Sequence, residues 1–353
     1  MTPRLRIAIT ADPYLPVPPR LYGGIERVLD FLVRGLADRG HRVTLFAHPE
    51  SDTPADLVPY GSPPHFGKVN RAKELWQVGG KLWSKRHRFD IVHSFGRLAA
   101  LTPVLGVRGL PKIQSYQRYG LPWKSIGAAT RMARNSIRFT ACSSNVYRSL
   151  PATDGSFGEW HTVFNGVDLA KYTFRSEVAG DAPLVFLGRL EPIKGAHNAI
   201  AIGKASGRRL AIAGNQVVGC EHYFKSAIAP HIDGDRVRYL GPVDDEAKNA
   251  LLSRSAALLM PIEWEEPFGI VMAEAMACGT PVVGFARGSV NEVVREGING
   301  FICRDVQDAV GAVSQLGALD RAAVRRDCEL RFSSKVVVDQ YECLYMGLCG
   351  GAN

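Results

Sequence analysis

Glu266 and Glu274 stand eight positions apart in the run from Trp264 to Pro281. Pro267 suits the first position of a helix, where its missing N–H costs nothing. Gly279 suits the cap beyond the last turn. The opening turn, Phe268, Gly269, Ile270 and Val271, then presents free N–H groups and the positive end of the helix dipole, a setting for an anion such as a diphosphate. At 1.5 Å per residue the two carboxylates lie about 12 Å apart along the axis. That is about the span from a hexose, across two phosphates, to a ribose, so one could take sugar hydroxyls and the other ribose hydroxyls. By themselves the pair reads at least as well as two ordinary helix glutamates. A departing diphosphate needs positive charge or oriented donors. The sequence has no aspartate-rich metal motif, but places Arg189 and Lys194 in a loop bounded by Gly188 and Gly195. Gly23 and Gly24 form another opening where backbone N–H groups can approach a phosphate, or simply a turn.

The elements that must position these residues follow from periodicity. Arg4 to Thr10 reads as a strand, with the whole stretch from Met1 strand-like and unlike a signal peptide. A proline-rich loop follows, then Ile25, Val28, Leu29, Leu32, Leu36 and Ala37 at helical spacing up to Gly40, and a strand from Arg42 to Phe46. Short strands are expected at 91–93, 139–142 and 162–164. The pattern restarts with 184–187, a polar turn to Gly195 and a helix from Ala196, then strands at 210–213, 237–240, 258–260 and 281–285. Two successive α/β halves dividing between Asp168 and Asp181 account for this order, and ligands of such sheets bind beyond the carboxyl ends of the strands. At 353 residues each half is large enough for its own core. No apolar run is long enough to cross a bilayer. Seven cysteines without CxxC or metal-ligand spacing fit reduced thiols and a cytoplasmic setting.

The run from Glu266 to Val283, with seven residues between its glutamates, resembles the signature of family-four retaining glycosyltransferases, of the group 1 type. Further stretches resemble the family in order: Asn165-Gly166-Val167-Asp168, Gly188-Arg189 with Lys194-Gly195, Leu240-Gly241-Pro242-Val243, Gly297 to Phe301, and the closing segment with Phe332-Ser333, Tyr341 and Tyr345. The first half matches more loosely, through Gly23 to Arg27 and the strand ending at His93. The resemblance implies a GT-B fold, two facing Rossmann-like domains with a cleft between them. It places an acceptor-side domain at 1–168, a donor-binding domain at 169–333, and a closing helix at about 334–353 that returns to the first. It implies transfer of a hexosyl unit from a UDP- or GDP-sugar to a hydroxyl, in surface glycan or glycolipid synthesis. No cofactor and no metal are expected. Arg189 and Lys194 would grip the diphosphate, Glu266 orient the sugar, and Phe268 to Val271, Glu274, Gly23 and Gly24 hold the donor. Glu266 and Glu274 stand too far apart to act together on one anomeric carbon as in a retaining hydrolase, so front-face attack is the expected route. Where many relatives carry a histidine near the sugar, this chain has Gln117, which hydrogen-bonds but does not titrate near neutrality. His93, at another strand end, reads equally as a sugar-side group or as a buried strand histidine.

Charge is unevenly spread: residues 1–168 hold 23 Lys and Arg against 12 Asp and Glu, and the remainder 20 against 22. Lys68, Arg71, Lys73, Lys81, Lys85, Arg86 and Arg88 interleave with Leu75, Trp76, Val78, Leu82 and Trp83. Leu75, Trp76, Gly79, Leu82 and Trp83 approximate one helical face. A second stretch runs from Trp123 to Arg138. Such helices suit an anionic membrane surface, on its inner, cytoplasmic face, and a lipid-linked acceptor; they also suit a core-facing helix with a solvated basic side. Nothing accompanies the charge to indicate nucleic acid. Alternatives to transfer are a phosphorylase or nucleotide-sugar epimerase on the same fold, or a nucleotide-sugar-binding protein without turnover.

Overall fold

The computed structural model describes residues 3–20, 23–61 and 68–350, without the side chains of residues 68–70. Met1, the side chain of Lys68 and the last three residues of the expected closing helix lie outside the described residues. The chain divides into two compact units, Met1–Asn165 with Ser334–Asn353, and Gly166–Ser333.

In the first unit the order is β1 (Arg6–Thr10), α1 (Gly24–Asp38), β2 (Arg42–Ala47), β3 (Asp56–Pro59), α2 (Lys68–Lys85), β4 (Ile91–Ser94), β5 (Lys112–Tyr116), α3 (Trp123–Ala133), β6 (Ile137–Ala141) and β7 (Trp160–Thr162). The strands form one parallel sheet, β3-β2-β1-β4-β5-β6-β7, with Ile9 level with Leu45 on one side and His93 on the other. Its inner strands are largely buried on both faces, and β5 buries Lys112, Gln114 and Ser115 together with Ile113 and Tyr116. The direction of winding reverses between β1 and β4, which opens a crevice at their carboxyl ends.

The second unit repeats the plan with β8 (Leu184–Leu187), α4 (Ala196–Ala205), β9 (Leu210–Ala213), α5 (Glu221–Tyr223), β10 (Val237–Tyr239), α6 (Asp245–Arg254), β11 (Ala257–Met260), α7 (Ile270–Ala277), β12 (Val282–Phe285), α8 (Val290–Val293), β13 (Gly300–Cys303), α9 (Val306–Ser314) and α10 (Arg321–Phe332). The parallel order is β10-β9-β8-β11-β12-β13, and here the reversal falls between β8 and β11. The last helix, α11 (Ser334–Gly350), belongs to the first unit and packs along α1. Its Val338 fills the space over Gly35, where a Cβ would lie 2.8 Å from the valine, and its Tyr341 and Tyr345 are fully buried.

Several local expectations shift. β1 begins at Arg6, and β7 lies two residues before the expected strand at 162–164. The stretch from Trp123 to Arg138 is not one helix: α3 stops at Ala133, and Ile137 and Arg138 already belong to β6. On α2 the expected apolar face divides. Leu82 is buried, Leu75 is half-buried, and Gly79 lies so close to Pro103 that a Cβ would come within 2.9 Å, while Trp76 and Trp83 point outward, 80% and 45% exposed; Val78, outside that face, is buried.

Candidate active site

The loops that follow β8 and β11 stand at the reversal of the second sheet, and they carry most of the residues singled out by chemistry. After β8 the chain passes Arg189 and makes a single turn, Pro192–Lys194, before Gly195 opens α4. Gly195 has φ 75°, and a Cβ there would sit 1.9 Å from the Pro261 carbonyl oxygen. Only glycine lets the two loops touch. The Glu263 N–H donates to the Ile193 carbonyl at 2.9 Å, joining them further. This contact sets Lys194 against Glu266, with Nζ 2.6 Å from Oε2. The Trp264 indole N–H donates to the same oxygen at 3.0 Å, and the ammonium lies 4.4 Å from the centre of the Trp264 ring. Both members of the pair are largely buried. The other carboxylate oxygen of Glu266, Oε1, has no protein donor among the described residues.

The backbone of Glu266 is held from a third loop, after β12. Ser289 donates its N–H to the Glu266 carbonyl at 2.9 Å, and its hydroxyl to the Phe268 carbonyl at 2.8 Å. Gly288, at φ 54°, passes so close that a Cβ would stand 2.2 Å from the Glu266 nitrogen. Arg189 is half-exposed, with its guanidinium 2.7 Å from the Glu191 carboxylate.

The helix after Glu266 starts later than its sequence indicates. Gly269 is the cap residue, at φ 69° and ψ 67°, and Ile270 is the first helical position. Pro267 therefore does not open the helix. Glu266 lies in the loop before it, and the 12 Å spacing derived from helical rise does not apply to the pair. The left-handed cap residue, a glycine, makes no side-chain hydrogen bond to the opening turn of α7. At the other end Gly279, φ 78°, follows the last turn as expected.

Glu274 is buried at 4% exposure, and its Oε1 accepts from Lys248 Nζ at 2.6 Å and from the Tyr172 hydroxyl at 2.8 Å. Lys248 and Tyr172 were not anticipated. Lys248 projects from α6, which Asp244 caps by accepting from the Ala247 N–H at 2.8 Å. The run from Asp244 to Glu246 before an apolar stretch is a helix-start signal, so the helix was findable. Its partner, 26 residues on, was not. Each signature glutamate is thus held by one lysine from a different segment of the chain.

In the first unit, Gly23 (φ 154°) precedes α1, and a Cβ there would lie 2.7 Å from both Glu26 Oε2 and Pro19. Gly24 is the first residue of α1. His93 is fully buried on β4. Its Nδ1 lies 2.6 Å from the Tyr345 hydroxyl and its Nε2 2.6 Å from the Ser115 hydroxyl. Burial pushes its pKa down to about 3, so the ring is neutral at ordinary pH. Of its two readings the geometry matches the buried strand histidine: both ring nitrogens are engaged by the protein, and a sugar-side role is not available to it. Gln117 is half-buried, and neither of its amide atoms has a protein partner among the described residues. It lines a pocket of about 520 Å³ at the carboxyl ends of β1, β4 and β5.

Among the described residues no group of three or more His, Cys, Asp or Glu side chains converges as a metal site. None of their helices is long and apolar enough to cross a membrane, and the cysteines are free thiols.

Comparison with known proteins covers both units. Residues 173–324 match the family described as Glycosyl transferases group 1, and residues 22–171 match Glycosyltransferase Family 4. A phosphatidyl-myo-inositol mannosyltransferase of Propionibacterium freudenreichii is 36% identical over 290 residues, covering 74% of this chain and 73% of that protein. A glycogen synthase of Mycobacterium tuberculosis is 28% identical over 368 residues, with 88% and 86% covered. Among solved structures, AviGT4, a glycosyltransferase involved in avilamycin A biosynthesis, superposes with a TM-score of 0.74 at 27% identity over 99% of each chain. HepE of Anabaena, in complex with UDP and glucose, gives 0.70 at 20% identity, with 97% of this chain and 99% of that chain covered.

Proposed function

This chain belongs to the group 1 glycosyltransferases, with the GT-B fold, and from that premise we propose that it moves a hexosyl unit from a UDP- or GDP-sugar to a hydroxyl acceptor with retention and without a metal. The observation that carries this reading is the Lys194–Glu266 pair at the carboxyl ends of β8 and β11, where an α/β sheet of this order takes its ligand. A paired glutamate with one oxygen free can accept from a sugar hydroxyl without the penalty of an isolated buried charge. Arg189, half-exposed on the neighbouring loop, and the Lys194 ammonium supply fixed positive charge to a departing diphosphate. The uncapped N–H groups at Gly269, Ile270 and Val271 supply oriented donors beside Phe268. Glu274 takes the ribose end through its second oxygen. Gly23 and Gly24 are assigned to the phosphates on the family pattern alone.

In the transfer, the bond from the anomeric carbon to the diphosphate oxygen breaks. The acceptor oxygen bonds to that carbon from the same side, and its proton passes to a diphosphate oxygen. Glu266 orients the sugar in this scheme and forms no covalent bond. Gln117 serves as a hydrogen-bonding group on the acceptor side. HepE is named in complex with UDP-glucose, which supports a uridine nucleotide as the first donor to try.

The same family includes the phosphatidyl-myo-inositol mannosyltransferase of P. freudenreichii, and α2 offers a candidate membrane-facing surface. Trp76 and Trp83 stand two turns apart on one side with Lys73 exposed beside them, and Arg86 lies 3.8 Å over the Trp83 ring. Exposed tryptophans among basic residues suit an anionic bilayer surface, on the inner leaflet for a cytoplasmic enzyme. Lys81 does not belong to that surface, because its Nζ donates to the Pro59 carbonyl at 2.5 Å.

The test is donor turnover with and without EDTA, in wild type and Glu266→Ala. Wild-type release of UDP or GDP should survive EDTA, and Glu266→Ala should lose it while melting normally. Undiminished turnover in the variant removes the assigned role, strict Mn²⁺ dependence removes the metal-free scheme, and release of a sugar phosphate replaces transfer by phosphorolysis.

A further inference from the structure

The pocket of the first unit has properties that sugar transfer alone does not require. It occupies about 520 Å³, within the range of small-molecule sites. Its floor is the edge where β1, β4 and β5 end, at Asp12, Phe95 and Gln117. Its walls come from the segment after β4, with Leu98 and Leu105, and from α3, with Ala128, Ala129 and Met132. Most of the lining is hydrocarbon. A polyol or glucan chain end gains little from such walls, because its hydroxyls would lose water without replacement. An apolar ring or chain gains about 25 cal/mol for each Å² it buries.

Polar atoms are few and gathered at the sheet edge. Gln117 Nε2 and Oε1 and the Tyr116 hydroxyl are buried without a protein hydrogen-bond partner among the described residues. Tyr116 itself is only 9% exposed, with its ring stacked on Phe139 and Trp160. A buried donor or acceptor left unmade is destabilising, and both residues that carry these atoms belong to the cavity lining at the sheet edge, where a ligand's hydroxyl could meet them.

Charge at the rim is mixed. Arg97 and Arg118 stand there, but Arg118 lies 3.4 Å from Asp12. Glu26 and Glu74 also act on Asp12 or are acted on by it, and burial raises the carboxyl of Asp12 and of Glu26 above its ordinary value. Of these groups Arg97, Arg118 and Asp12 line the pocket itself, so its rim carries charge of both signs.

We propose that the acceptor of this enzyme is a small molecule with an apolar ring or chain, seated in this pocket with its hydroxyl hydrogen-bonded to Gln117 and to the phenol of Tyr116. The proposal rests on the transferase reading above and specifies its acceptor. Gln117 then acts as a donor and acceptor for that hydroxyl, which accounts for an amide in a place where its neutrality is useful at any pH.

Isothermal titration of the full chain without donor tests the pocket by itself. The probes are octyl β-D-glucopyranoside below its micelle concentration, maltotetraose and myo-inositol 1-phosphate. The octyl glucoside should bind at least about tenfold tighter than either of the others, a difference of about 1.4 kcal/mol. Ala128→Trp, which fills the cavity from a half-buried position, should weaken that binding by about tenfold or more. Met132→Glu, at a residue 53% exposed, should do the same without risk to the core. Equal affinity of wild type and both variants for the octyl glucoside, or preference for the phosphate or the glucan, overturns the proposal. A second assay follows wild type with octyl glucoside and a panel of UDP- and GDP-sugars, UDP-glucose first. Nucleotide release with the sugar going only to water overturns the acceptor assignment, whereas no consumption of any UDP- or GDP-sugar overturns the transferase reading beneath it.

Discussion

Replacing Lys248 by methionine isolates what holds Glu274 in place. The side chains are 12% and 5% exposed, and the ammonium sits 2.6 Å from Glu274 Oε1. Methionine keeps the unbranched apolar stem and removes the terminal ammonium, together with its second, solvent-side contact to Asp245 at 3.1 Å. Glu274 is then left with the Tyr172 hydroxyl at 2.8 Å on the same oxygen. Removing one partner of a buried ion pair costs about 3–5 kcal/mol, and the surviving hydrogen bond argues for the lower end, about 3 kcal/mol. For a unit of this size each kcal/mol moves Tm by roughly 2–4 °C, so Lys248→Met should lower the transition of the second unit by roughly 6–12 °C in differential scanning calorimetry. Lys248→Met combined with Glu274→Gln removes both charges and should recover at least half of that loss. The coupling between the two sites should be about 2 kcal/mol, well above the few tenths expected of independent positions. A drop below about 2 °C, or a double variant whose losses simply add, would refute the claim that this lysine holds the glutamate.

Three further outcomes are expected. His93 has a folded-state pKa of about 3 against an ordinary 6.5, so the unfolded chain binds the extra proton between those values and stability falls as pH drops from about 6.5 towards 3. The difference amounts to at most about 5 kcal/mol; His93→Asn should flatten the wild-type pH dependence in that window in urea titrations, and parallel curves would contradict it. Gly195→Ala must push a Cβ into the Pro261 carbonyl, whereas Gly207→Ala, at φ 67° with nothing within 4 Å, bears only backbone strain. The first should lose donor affinity by about tenfold or more and the second should keep it, as read by titration with UDP; equal effects would remove the loop contact from the account. Vesicles containing anionic lipid should float wild type more than a Trp76→Ser, Trp83→Ser variant, with the gap closing in high salt, and equal flotation would dismiss α2 as a membrane surface.

The alternation of apolar runs and helical stretches made two α/β halves legible, because most strands buried on both faces are apolar runs with strong glycine punctuation; β5, which buries Lys112, Gln114 and Ser115, is not one of them. Edge and short elements were not legible in the same way. β3 (Asp56–Pro59) is half-exposed and carries a proline, so it lacks the apolar signature, and β13 (Gly300–Cys303) opens on a glycine that the sheet needs for another reason: a Cβ at Gly300 would lie 2.0 Å from the Val282 carbonyl oxygen. The face of α2 was misread because period alone does not tell which apolar residues meet a neighbour. Gly79 meets Pro103, and Val78 and Leu82 beside it are buried, while Trp76 and Trp83, at equally plausible helical positions, are exposed.

The site shows the same limit at finer scale. The residue types were legible, since two glutamates, an arginine and a lysine among glycines are the groups a diphosphate sugar needs. Their pairing was not, because Lys194 reaches Glu266 across 72 positions, and Tyr172 reaches Glu274 across 102. The helix start was misplaced for a related reason. Pro267 satisfies a local rule for opening a helix, but Glu266 and Phe268 are already committed to the loop after β12 through Ser289, so the chain turns into the helix only at Gly269. A carboxylate that must present one oxygen to a ligand has to be fixed through the other. Each glutamate meets that requirement through a lysine supplied by a separate segment, so substitutions at Lys194 and Lys248 should disturb the donor end of the reaction as strongly as changes within the signature itself.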